Sequence, residues 1–109
     1  MILVFKDFLE AIKRGDERRD LFICKNKAEL KYEMQRMMDD AFAMNLNPQM
    51  RITQNVINFG PSFAMFRVVH PFLDMSCKGI QFNAIQGLMQ FDMYEDMEDV
   101  KKNLEAQVR

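Results

Sequence analysis

The chain has 109 residues, the size of one domain, and is long enough to bury a core without metal or disulfide staples. Its 15 basic and 16 acidic side chains leave a formal net charge of −1, which provides no global field for nucleic acid or an anionic membrane. The 49% hydrophobic content excludes a disordered chain, and no apolar run approaches the roughly 20 residues of a spanning helix, so no membrane partner is expected.

The opening stretch, MILVFKDFLEAIKRG, has no basic segment ahead of its apolar part, and Lys6, Asp7 and Glu10 interrupt that part. It is therefore expected to be folded structure rather than a secretory leader. Within residues 3–14, Phe5, Phe8, Leu9 and Ile12 recur at spacings of three and four, which predicts a helix. Gly15 is its stop, with Lys13 and Arg14 in the last turn, where cations suit the negative end of the helix dipole.

GDERRD then leads into LFIC, four apolar residues that predict a strand buried on both faces. Asn26 and Glu29 form a capping-box pattern, so a helix should begin there. Its inward stripe is Leu30, Met34, Met37, Met38 and Ala41, with Lys27, Lys31, Glu33 and Arg36 mostly outside, and NLNP ends it.

RITQNVINF and FAMFRVVH, separated by GPS, predict an antiparallel hairpin with a loop of three to five residues. Ile52 and Val56 share a parity that Ile57 and Phe59 do not, and a bulge near Asn55 would account for the change. KGIQFNAIQGLMQFDMY predicts either one long strand broken at Gly87 or two short ones. Met97, Val100, Leu104 and Val108 then predict a C-terminal helix, with acids in its first turn.

These elements define a single α/β (or α+β) domain over residues 1–109. One mixed sheet of about four to five strands carries three helices in the order α-β-α-β-β-β-α, with LFIC parallel to a later strand.

Chemistry-bearing clusters are few. The turn between LFIC and its helix is a place where α/β proteins hold phosphate, but none of the glycines at 15, 60, 79 and 87 forms a phosphate loop. An anion or nucleic acid could instead be met by Arg18, Arg19, Lys25, Lys27 and Lys31, provided these converge at one end of the domain. Asp16, Glu17 and Asp20 partly cancel that field.

His70, Asp74 and Cys77 could form a base, an orienting acid and a nucleophile, although they fall in one loop whose geometry the sequence does not fix. Cys24 and Cys77 are expected to be free thiols in a reducing, cytoplasmic setting. His70, Cys77 and Cys24 lack zinc-ligand spacing, and the acids from Asp92 to Asp99 lack the alternation of a calcium loop, so no metal or cofactor is expected.

LFICKNKAELKYEMQRM, INFGPSFAMFRVV and DMSCKGIQFNAI together resemble the middle of the ATPase core of phage terminase large subunits and related helicases. The resemblance covers residues 20–86 and implies a phage origin, hence a host-cytoplasmic protein. It also implies a phosphate loop upstream and a metal-binding acid pair after the last strand. Nothing before Asp20 resembles that loop, and the acid pair falls at Gln86 and Gly87, so what is implied is a catalytically silent relative.

Eleven Met and ten Phe in so short a chain point elsewhere. Phe42, Met44, Met75, Met89 and Met93 lie off the buried stripes and predict an exposed apolar patch, the mark of an association surface. The expected function is that of a small non-catalytic binding protein acting through protein contacts, first of all as a homodimer. The alternative is a nucleic-acid-binding or DNA-packaging accessory protein, and the third possibility is a cysteine-dependent enzyme.

Overall fold

The computed structural model describes residues 3–72 and 77–109. Helix α1 (Lys6–Arg14) begins later than its apolar stripe suggests, because Phe5 is the residue that caps it. Gly15, at φ 91°, closes the helix by donating its N–H to the carbonyls of Ala11 and Ile12. Phe5 is nonetheless buried, entering the core from just ahead of the helix.

Strand β1 (Arg19–Cys24) follows, with Leu21 to Cys24 wholly inaccessible to solvent. It is paired on both edges, in parallel, with β4 (Ser62–Val68) and β5 (Ala84–Gln86). A strand enclosed in this way has no outward face for polar residues, which is why LFIC does not alternate.

Helix α2 (Lys27–Ala43) starts at the expected cap. The Asn26 Oδ1 accepts the Glu29 N–H at 2.9 Å, and the Glu29 carboxylate accepts the Lys25 N–H at 3.1 Å, one residue further back than in the standard box. Leu30, Met34, Met37 and Ala41 form its buried stripe. Glu33 does not stay outside as expected: it is buried and ion-paired with Arg36. The same guanidinium donates to the Leu3 carbonyl and lies 4.1 Å from the centre of the Phe5 ring, fastening the N-terminal segment onto α2.

The segment read as one bulged strand is two strands. Asn55, left-handed at φ 53°, closes a 3₁₀ turn over Ile52–Gln54, so β2 (Gln49–Arg51) folds back on β3 (Val56–Phe59) with Arg51 opposite Val56. The parity change is a chain reversal, and Ile52 projects from its tip. The next hairpin is tighter than expected, since Phe59 pairs with Ser62 and only Gly60 and Pro61 remain in the turn.

After β5 there is no second strand over residues 88–93. Gly87, at φ 93°, turns the chain into a 3₁₀ helix over Leu88–Met93, and a second 3₁₀ turn, Glu95–Met97, leads into α3 (Glu98–Glu105). Phe82 meets Val108 in an isolated parallel bridge, which returns the end of the chain to the sheet.

Among the described residues the strands form one mixed sheet, ordered β2-β3-β4-β1-β5. On one face Phe22 and Cys24 pack with Phe5, Phe8, Met37 and Phe66 beneath α1 and α2. Phe22 stacks on Phe66 at 5.1 Å and meets the edges of Phe5 and Phe8. On the other face Leu21 and Ile23 pack with Phe82, Phe91, Met97 and Leu104. No described helix is long and apolar enough to cross a membrane.

Of the four glycines, Gly87 is the one packed against a neighbouring strand. A Cβ built there would lie 2.5 Å from the Ile23 carbonyl oxygen, whereas one at Gly79, also left-handed, meets nothing within 4 Å. Gly79→Ala should cost only the left-handed penalty of about 1–2 kcal/mol. Gly87→Ala should add a further 1–3 kcal/mol or so for displacing β1, and urea denaturation of the two variants measures the difference.

Candidate binding surfaces

The cations singled out in the sequence do not gather at one end. β1 separates them: Arg18 and Arg19 stand where it begins, and Lys25, Lys27 and Lys31 lie beyond its last residue. Six residues of strand span about 20 Å.

Arg18 is a structural residue. Its Nε and Nη2 donate to the two Asp20 carboxylate oxygens at 3.1 and 2.9 Å, and its Nη1 donates to Asp7 at 3.2 Å. Burial opposes its charge, but the bonds and charges of Asp20 and Asp7 outweigh this and raise its pKa. Asp20, with 2% of its surface exposed, has its pKa raised by burial, and Arg18 opposes that shift. Arg19 reaches Glu17 at 3.4 Å beside a small hollow of about 240 Å³ that Arg109 also lines.

At the other end a cleft of about 690 Å³ opens between the first turns of α2 and the β2–β3 reversal. Lys27, Lys31 and Arg67 line it, facing the polar turn Thr53, Gln54 and Asn55. No carboxylate lines it among the described residues. Lys25 does not line it either, so of the five expected cations two belong to the cleft.

Arg67 went unnoticed in the sequence. The signal was available, since it is the one charge inside an apolar strand, where it shares a parity with Phe63 and Met65. Its Nη1 donates to the carbonyls of Gln54 at 2.9 Å and Phe66 at 2.7 Å, tying β4 to the 3₁₀ turn. Burial lowers its pKa, and the neighbouring Cys77 partly offsets this.

Of the suggested cysteine triad, Asp74 lies outside the described residues. The Cys77 thiol is fully buried, 3.7 Å from the Met65 sulfur, in the core of the second face. His70 is exposed and stacks on Tyr94 at 4.9 Å with the rings 5° from parallel. Both cysteines are free thiols, and burial, with Glu29 and Glu33 adding to it, pushes the pKa of Cys24 up to about 12.

The apolar candidates divide. Met89 and Met93 project from the 3₁₀ helix after β5, at 66% and 79% exposure, and Phe42 is half exposed near the end of α2. Met44 instead packs against the first core as the C-cap of α2, and Met75 lies outside the described residues. Tyr32, Ile52 and Val4 are exposed too and were not anticipated. Two residues from both Leu30 and Met34, Tyr32 lies opposite the buried stripe, a position the helical period does specify.

At the end of β5, the Gln86 carboxamide takes the Val4 N–H at 2.8 Å and gives a proton to the Val4 carbonyl at 2.6 Å, pairing with it as another peptide unit would. Gly87 has no room for a side chain. Neither position offers a carboxylate. The chain matches no known family model, no curated protein and no solved structure.

The elevated Cys24 pKa fixes a sign. The folded thiol stays protonated while the unfolded one ionises near its ordinary value of 9.0, so stability is complete below about pH 9 and falls as pH rises towards 12. Cys24→Ala removes this dependence. Urea denaturation should find wild type ahead of the variant at pH 7 and the gap narrowing above pH 9.

Proposed function

We propose that the chain is a small non-catalytic binding protein that acts through protein–protein contacts in the cytoplasm, its first partner being a second copy of itself. The observation that carries this is the exposure of Met89 and Met93 on one 3₁₀ helix immediately after β5. β5 is an edge strand of three residues with a single neighbour, β1, and exposed Val4 is held to the same edge through Gln86. Apolar surface thus collects where the sheet stops, and Met, flexible and polarizable, can reshape itself to a partner. The buried Cys77, away from solvent, supports a role without nucleophilic catalysis.

A nucleic-acid-binding or packaging accessory role, as a silent relative of the terminase ATPase core, is the second reading. The basic cleft, with no carboxylate lining it among the described residues, favours it.

Sedimentation or light scattering between roughly 1 and 100 μM, a range that reports Kd values of that order, should find a mass rising from 12.9 kDa towards its double. The Met89→Glu/Met93→Glu variant should weaken association by about tenfold or more. Wild-type protein that stays at 12.9 kDa at the highest concentration would refute the homodimer.

A further inference from the structure

The basic cleft, lined by no carboxylate among the described residues, has a charge arrangement that the fold itself does not require. Lys27 is the first residue of α2, at the positive end of the helix dipole, where a cation costs about 0.3–1 kcal/mol. Lys31 stands one turn further on the same face, and like charges four apart cost a few tenths more, about 0.2–0.5 kcal/mol. Neither lysine has an ion-pair partner among the described residues. Lys6, Arg14, Arg18, Arg19, Arg36, Lys101 and Lys102 do, while Lys13, Lys25, Arg51, Lys78 and Arg109, which do not line the cleft, also show none among the described residues.

The nearest acid in sequence does not relieve this. The Glu29 carboxylate is occupied by the Lys25 N–H, and it does not line the cleft. Across from the lysines, Thr53, Gln54 and Asn55 offer hydroxyl and amide groups, while Leu30 and Val68 supply apolar wall. The volume, about 690 Å³, falls within the usual size of ligand sites, roughly 300–1,000 Å³.

We infer that this cleft binds a phosphate-bearing ligand through Lys27 and Lys31, with the Thr53–Asn55 turn as the facing wall. No aromatic ring lines it among the described residues, so recognition falls on phosphate and not on stacked bases. The inference rests on the second reading of function and assigns a site to it. The phosphate comes from a nucleic-acid backbone or from a free phosphate compound, and the test separates these sources.

The test is fluorescence anisotropy of a labelled single-stranded oligonucleotide titrated with the full chain at about 50 and 200 mM salt, with inorganic pyrophosphate titrated separately by calorimetry. Lys27→Glu/Lys31→Glu should weaken binding of whichever probe binds by at least tenfold. For DNA it should also reduce the salt slope by about 1–2, the value for two lost contacts. Lys6→Glu/Lys102→Glu, the same charge change outside the cleft, should have a much smaller effect.

Glutamate at position 27 suits the first turn of the helix, so the cleft variant should stay close to wild type in stability by urea denaturation, which separates lost binding from lost fold. Pyrophosphate bound through these lysines without DNA binding would sustain the site and remove the nucleic-acid role. DNA binding indifferent to the cleft variant would overturn the site and leave that role standing. No binding of either probe at the lower salt would overturn both.

Discussion

Strand β1 is enclosed in every direction: a parallel neighbour on each edge and a packed layer on each face. Its residues are shared alternately between two cores, Phe22 and Cys24 serving α1 and α2, Leu21 and Ile23 serving the C-terminal layer, as Phe66 and Met65 of β4 are shared beside it. Both layers are therefore tied to this six-residue segment. A one-residue slip of β1 would exchange the two sets, sending Phe22 away from the ring it stacks on and Ile23 away from the carbonyl contact with Gly87. The Arg18–Asp20 pair resists such a slip at the entrance of the strand, because a carboxylate this deeply buried is stable only with its guanidinium partner in place.

Where regular pairing ends, side-chain amides replace it. Gln86 meets the backbone of Val4, the Gln90 amide donates to the Ile23 carbonyl at 2.7 Å, and the Gln107 amide donates to the carbonyls of Cys77 and Ile80. Asn83 Oδ1 and Ser62 Oγ accept the N–H groups of Arg19 and Arg18. Among the described residues no buried side-chain nitrogen or oxygen is left without a partner. The C-terminal layer is fastened to the sheet by the Gln90 amide on Ile23 and by the packing of Phe82 and Phe91.

The first half of the chain was legible because local and tertiary demands coincide there: the period of α1, the unbroken LFIC, and the Asn26–Glu29 cap all specify what forms. From Gln49 onward they part. Asn55 reads equally as a bulge or a left-handed turn, and only the pairing of Arg51 with Val56 selects the turn. Residues 80–94 look strand-like by composition, yet the contact of Gly87 with Ile23 redirects the chain, and that contact joins positions far apart in sequence. Glu33 misled for a similar reason, since its burial depends on Arg36 reaching Leu3 and Phe5. The cleft was half visible: Lys27 and Lys31 follow from the capped helix and Arg67 stands out as the charge in an apolar strand, but the Thr53–Asn55 wall and its meeting with these cations come from the fold alone. The clustering of all five cations failed because a strand buried between them keeps its two ends apart.

The carboxamide of Gln86 both takes and gives a proton in meeting Val4, and a carboxylate could only take one. Exchanging that amide for an acid would set a negative charge against the Val4 carbonyl and loosen the segment that Arg36 also grips. The strand terminus is in this sense a latch, and a variant that placed a carboxylate here would have to find the N-terminal segment another mooring.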